Sequence, residues 1–207
     1  MLLIPLLLSL TVHEWAHAWS AYRLGDDTAA RMGRLTLNPL AHIDPIGTLI
    51  LPLLGIPFGW AKPVPVVASR FRRDVNMTTG MIITAAAGPL ANVGLAVLSA
   101  VGIGLVARFA PQSLAGGSGL SVLGLLTSLL MVNVTLALFN LIPIPPLDGS
   151  RIVDGLIPYS WRPQWESIIR LSPLLFIAVF FFGGRIIAAP ANHVLGWLGN
   201  LIDAIRT

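Results

Sequence analysis

The sequence predicts an all-α membrane protein: a polytopic helical bundle of about four spans, with a short β-hairpin-like insertion after the first. Three observations predict it. Hydrophobic residues make up 55% of 207 and charged residues 11%, with a mean hydropathy of +0.81, outside ordinary soluble usage. Four apolar stretches each approach the roughly 20 residues a helix needs to cross hydrocarbon. Basic residues gather in two of the connecting loops.

Residues 2–24 form the first span. No Lys or Arg precedes its apolar run, and His13-Glu14-Trp15-Ala16-His17 stands where a signal-peptide cleavage site would fall, so the span is expected to be retained. In the long mixed connection that follows, residues 31–38 alternate as a strand does, and residues 60–67 read as an edge strand broken by Pro63 and Pro65. Between them, residues 46–58 are apolar but too short to span and carry Pro52 and Pro57, which suits a re-entrant segment. The second span, 79–108, is rich in small residues that permit close helix approach. A Gly/Ser loop at 115–118 leads to the third span, 119–142. That helix is stopped by Pro143, Pro145 and Pro146, which remove donors and push the preceding residue extended. A polar stretch precedes the fourth span, 168–190, and residues 191–206 form a C-terminal helix that lies on or re-enters the membrane. The whole, 1–207, reads as one domain without repeats.

A net charge of +4 would suggest nucleic acid in a soluble protein. Here topology explains it. Arg23, Arg31, Arg34, Lys62, Arg70, Arg72 and Arg73 follow the first span, and Arg151, Arg162 and Arg170 follow the third; Arg108, Arg185 and Arg206 are left for the other side. The positive-inside rule puts both long connections in the cytoplasm and the N-terminus outside. No nucleic-acid partner is expected.

The chain has four His and two Glu, and three of these six residues fall within one turn of an apolar helix. Ionisable residues at the bilayer centre cost roughly 2.5–3.5 kcal/mol each, so they mark a functional site. Two histidines at i and i+4 share a helix face about 5–6 Å apart and can reach one zinc ion. Glu14, one residue after the first, can reach water at that metal as a general base. With no cysteine, zinc has only His and carboxylate to hold it. A third ligand is required. Arg23 occupies the place of a metzincin's third histidine, which excludes that class, and Glu166 lies in a loop. Asp148 follows Asn140-Leu-Ile-Pro-Ile-Pro-Pro-Leu where the third span breaks, and broken backbone at membrane depth lines a cavity or is buried in protein. Gly149 beside it permits close approach. Asp148 reads either as the third ligand or as a cap for the next helix.

His-Glu-x-x-His in the first span, Gly88-Pro89-Leu90-Ala91-Asn92 in the second, and Asn140-x-x-Pro-x-Pro-Pro-Leu-Asp-Gly closing the third together resemble the site-2 protease family of intramembrane zinc metalloproteases. Residues 38–47 and 59–66 are similar to its compact prokaryotic branch, and the likeness covers about residues 1–155. The resemblance implies one zinc ion per chain on His13, His17 and Asp148, with Glu14 activating water. It implies Asn140 as a hydrogen-bond donor to the scissile carbonyl, against a plain interhelical bond, and Gly88, Pro89 and Asn92 as packing or substrate contacts near the site. His42 and Asp44 read as a turn and cap, against an additional metal site. The expected activity is hydrolysis of a peptide bond in a transmembrane segment of a single-span substrate, a signalling regulator or a remnant signal peptide, in a prokaryotic plasma membrane with the site open to the cytoplasm. The extended segments at 31–38 and 62–67 would hold substrate by strand addition. No span is expected before the His-Glu-x-x-His helix, and no PDZ or CBS domain, so any regulation comes from a membrane partner. Two other classes compete: a membrane zinc transporter, which gives no reason for Glu14 beside His13, and an inactive scaffold relative, which gives no reason for a full set of catalytic groups.

Overall fold

Helix α1 (Leu3–Leu24) shows how the chain is built. The structure, a computed structural model, describes residues 3–50, 53–54, 61–114 and 121–207. On α1, Ser9, Thr11, His13, His17 and Ser20 are buried while Ile4, Leu8, Trp19 and Tyr22 are exposed. A water-soluble helix does the reverse. Polar groups turn inward where partners exist, and apolar groups face outward, as hydrocarbon surroundings require.

After α1 comes a single turn, α2 (Thr28–Arg31), and then α3 (Met77–Phe109), whose first turn is capped by the Asn76 side chain accepting from the Thr78 and Thr79 amides. Helix α3 touches all the other long elements: α1, α4 (Val122–Asn140), α5 (Asp148–Leu156) and α6 (Arg162–Arg206). Sequence explains its central place. Gly80, Thr84, Gly88, Asn92, Ala96, Ala100 and Gly104 recur at every fourth position and are all buried. Such a small-residue stripe brings neighbouring backbones close, and dispersion is the main attraction between helices in lipid. Leu198 of α6 packs with Ala96 and Ala100 of α3 and with Leu130 and Val134 of α4. Near the other end of α4, Phe139 meets Leu147 and Val179.

Among the described residues, three helical stretches are long and apolar enough to cross a membrane: α3, α4 and Tyr159–Arg206, which contains α6. The expectation of four such spans is met by three. Helix α1 has the length, but Glu14 and its two histidines lower its hydropathy. The boundary expected near residue 190 is absent. Segments 168–190 and 191–206 are one helix of 45 residues that carries Pro173 and Pro190 within it. At 1.5 Å per residue it measures about 68 Å if straight, over twice the hydrocarbon thickness.

The β-hairpin-like insertion is not found: the described residues contain no strand. Pro63 and Pro65 have no amide proton, and the neighbouring donors are engaged elsewhere. Val64 N–H donates to Glu14 Oε2 (2.9 Å) and Val67 N–H to Asp26 Oδ2 (2.7 Å), so no ladder can form there. The two segments meet through a side chain instead. The buried Arg34 guanidinium donates to the carbonyls of Ala41, Lys62 (2.6 Å) and Pro63 (3.2 Å). Of the expected re-entrant segment, Pro45–Ile50 forms a π-helical turn; residues 51–52 and 55–60 lie outside the described residues, as does the 115–118 loop.

Candidate metal centre

His13 and His17, one turn apart on α1, point their Nε2 atoms at each other across 3.0 Å. Asp148 opens α5, but its side chain does not cap that helix. Its Oδ2 lies 3.2 Å from His13 Nε2 and 3.3 Å from His17 Nε2. Among the described residues these three form the one cluster of His, Cys, Asp or Glu able to hold a metal ion, and all three are buried. The backbone break at Pro143–Pro146 brings α5 back to α1, and Gly149 allows it. A Cβ there would meet the Leu141 carbonyl and stand 2.7 Å from that of Ile142.

The chemistry of this triangle follows from the far side of each ring. His17 Nδ1 is 2.7 Å from the Thr84 carbonyl, which can only accept, so Nδ1 carries the proton. His13 Nδ1 is 2.6 Å from Asn92 Oδ1, again an acceptor. In the neutral imidazoles that a metal requires, both Nε2 atoms are therefore bare. Three acceptors converge without a donor among them, and Asp148 Oδ2 is buried without a hydrogen-bond partner. That arrangement is repulsive unless a cation sits among them. Ligands about 2.0–2.1 Å from a tetrahedral zinc stand about 3.3–3.4 Å apart, close to the triangle's edges. The donor set of two imidazoles and one carboxylate, each imidazole anchored through its second nitrogen, fits a zinc site with one open position. Gly88 completes the cradle. A Cβ on it would strike His17 Nε2 and stand 2.6 Å from His13 Cε1.

Comparison with known proteins agrees. A family model described as Peptidase family M50 matches residues 104–181. The protein named "Putative zinc metalloprotease YwhC" of Bacillus subtilis (strain 168) is 39% identical over 180 residues, covering 86% of this chain and 79% of the relative. The chain belongs to the M50 peptidases, the site-2 protease family. Two proteins named "Putative zinc metalloprotease Rip2" are similar as well. That of Mycolicibacterium smegmatis is 39% identical over 170 residues (79% of this chain, 62% of the relative), and that of Mycobacterium tuberculosis H37Rv is 34% identical over 196 (95% and 69%). No solved structure matches. As an M50 member with three apolar helices, the protein is a zinc metalloprotease and a multi-pass membrane protein.

His13, His17 and Asp148 line a cavity of about 320 Å³ whose walls include Leu10, Leu136, Phe139 and Phe176. Glu14 faces it beside His13 and His17. Asn140 lines it too, but its Nδ2 donates to Leu136 in its own helix (3.0 Å), so it makes no bond between helices there. Asn92 is fully buried behind His13 rather than in the cavity. His42 and Asp44 stand outside the metal cluster. His42 Nε2 donates to the Thr36 carbonyl, and Asp44 Oδ1 accepts from the Ile46 and Gly47 amides, as a turn residue does.

Three residues escape a reading of motifs: Ser9, Arg34 and Asn133. Asn133 and Ser9 bond to Asn92 behind the imidazoles, and Arg34 clamps the segment whose Val64 amide holds Glu14. Asn133 alone carried a signal, as an amide in the middle of an otherwise apolar span.

Proposed function

We propose that this protein is an intramembrane endopeptidase in which His13, His17 and Asp148 hold one zinc ion and Glu14 is the general base. One observation carries the reading: three buried acceptor atoms meet at 3.0–3.3 Å with no donor between them, and Glu14 stands in the same cavity. Zinc, when bound, supplies a Lewis acid that polarises the scissile carbonyl and acidifies water. The chain's own residues do the rest. Glu14 takes the proton of the attacking water as the new C–O bond forms, then delivers it to the leaving nitrogen as the C–N bond breaks. Asn140 has one N–H of its Nδ2 committed to Leu136, and the other is free to donate to the carbonyl oxygen as charge develops. The apolar walls around Leu136 and Phe139 keep bulk water from the reacting atoms.

The substrate is a single-span membrane protein, locally unwound so that its peptide bond leaves the helical ladder. Helix α1 acts as the fourth crossing. Its 22 residues reach about 33 Å, and it sheathes its polar face in α3 and α4. The basic connections support a cavity open to the cytoplasm, and the reading extends to a prokaryotic plasma membrane with a membrane partner as regulator. Purified protein in detergent is expected to cleave a single-span reporter, to stop when a chelator is added, and to resume with zinc. Glu14→Gln is expected to lower cleavage by about 10²–10⁴-fold while keeping zinc. A Glu14→Gln protein that cleaves at the wild-type rate, or that moves zinc across proteoliposomes as the wild type does, sinks the peptidase reading in favour of transport.

A further inference from the structure

Behind His13 lies a set of side-chain bonds whose every direction is forced. It begins at three backbone carbonyls, which can only accept. The Ser9 hydroxyl donates to the Pro5 carbonyl (2.7 Å). Asn133 Nδ2 donates to the Leu129 carbonyl (2.8 Å) and to Ser9 Oγ (2.9 Å), using both its protons. The remaining face of the Asn133 amide is then an acceptor, Oδ1, and Asn92 Nδ2 donates to it at 2.7 Å. The second Asn92 proton goes to the Ser9 carbonyl (3.3 Å). Asn92 must therefore present Oδ1 to His13, and His13 must carry its proton on Nδ1. Asn92 and Asn133 are both fully buried, so no water relaxes these assignments. Flipping either amide would set donor against donor or acceptor against acceptor in a low-dielectric interior.

We infer that Asn133 is a positioning residue for the metal site. Acting through Asn92, it fixes the tautomer and ring orientation that leave His13 Nε2 bare toward Asp148 and His17. His17 is held separately by the Thr84 carbonyl and does not share this route. Asn133 joins α4 to α1 and α3, so the α4 span takes part in zinc binding without offering a ligand. The inference rests on the reading of His13, His17 and Asp148 as zinc ligands.

The test is zinc affinity, by competition with a chromophoric chelator on the full detergent-solubilised chain. Asn133→Leu removes the acceptor for Asn92 and is expected to weaken zinc binding by about 10–100-fold. Asn133→Asp keeps an oxygen facing Asn92 and is expected to bind within a fewfold of the wild type, although it too is destabilised. In the double variant Asn92→Leu/Asn133→Leu, affinity equals that of Asn92→Leu alone, because one residue acts through the other. The ¹⁵N spectrum of the zinc-free protein shows His13 protonated at Nδ1 in the wild type and as mixed tautomers in Asn133→Leu. Should Asn133→Leu not fold, Asn133→Ser replaces it, since its hydroxyl back-bonds the Leu129 carbonyl and removes the amide. Wild-type zinc affinity in Asn133→Leu, equal losses in the Leu and Asp variants, or losses that multiply in the double variant overturn the inference. A wild type that binds no zinc, or a His13→Ala protein that binds it undiminished, overturns the metal reading instead.

Discussion

The histidines and the glutamate of one helical turn are held in opposite ways. His13 and His17 are tied from behind by groups inside the bundle, the Asn92 amide and the Thr84 carbonyl of α3. Glu14 is tied from outside the bundle, by the Val64 amide of an extended segment that Arg34 clamps to the chain around Ala41. The first arrangement is dry and rigid because α3 packs small residues against α1. The second is a strap of backbone with two prolines, held by one guanidinium. The difference suggests a division of labour: the metal side is set by helix packing, and the base side by a connection whose Ala61, Pro63 and Val64 line the cavity.

The sharpest way to break the metal side is Gly88→Ala. The added methyl collides with both imidazoles, and a ring that swings away from it also leaves the triangle. Zinc affinity is expected to fall by more than about a hundredfold, beyond the usual loss of an outer-shell partner. Chelator competition checks it, with circular dichroism to confirm that the helices persist. Affinity within tenfold of the wild type sinks the geometry described for the cradle.

What was legible beforehand divides along the same line. The imidazoles and Glu14 belong to a motif whose spacing matches helix geometry; Asp148 and Gly88 stand in motifs that resemble a known family's, and Gly88 read there as a packing or substrate contact rather than as the imidazoles' cradle. Ser9 and Asn133 are 124 residues apart, and no local pattern pairs them. Arg34 read as part of a strand because residues 31–38 alternate. The alternation is real, but Arg34 turns inward to satisfy three carbonyls that a ladder would otherwise have used. The boundary expected between segments 168–190 and 191–206 is missing although Pro190 stands there. Apolar residues of α6 beyond that point pack on α3 and carry the helix through.

Arg34→Gln addresses the base side and has a smaller expected effect. Three carbonyls lose a charged donor, the segment at 62–64 loosens, and the Val64 amide no longer holds Glu14 in place. Cleavage of a single-span reporter should fall about tenfold in kcat, a fraction of what a general base contributes. KM should move little, and zinc affinity should stay within twofold of the wild type, since neither His13 nor His17 hydrogen-bonds to the strap. Arg34→Lys, which keeps the charge but not the fork, should recover part of the loss. If Arg34→Gln lost zinc as readily as Gly88→Ala, the metal side and the base side would not be separate devices.

The smallest effect belongs to the outer edge of the same connection. Asp27 bridges Arg31 (2.6 Å) and Arg70 (3.1 Å), tying α2 to the turn before α3. The hydrogen bond from Arg31 holds its carboxyl below the usual carboxylate range. A depressed pKa stabilises the folded state above the unfolded carboxyl value of about 3.9, and that contribution is lost as pH falls through the lower, folded value. The group is exposed, so water and salt screen the pair. Asp27→Asn is therefore expected to leave zinc affinity and cleavage at wild-type levels at pH 7 and to shift the melting temperature barely. It should flatten the acid limb of stability below about pH 4. A large loss of cleavage in Asp27→Asn at neutral pH would mean that the strap's hold on Glu14 extends out to this surface pair, and that Arg34 is not its main anchor.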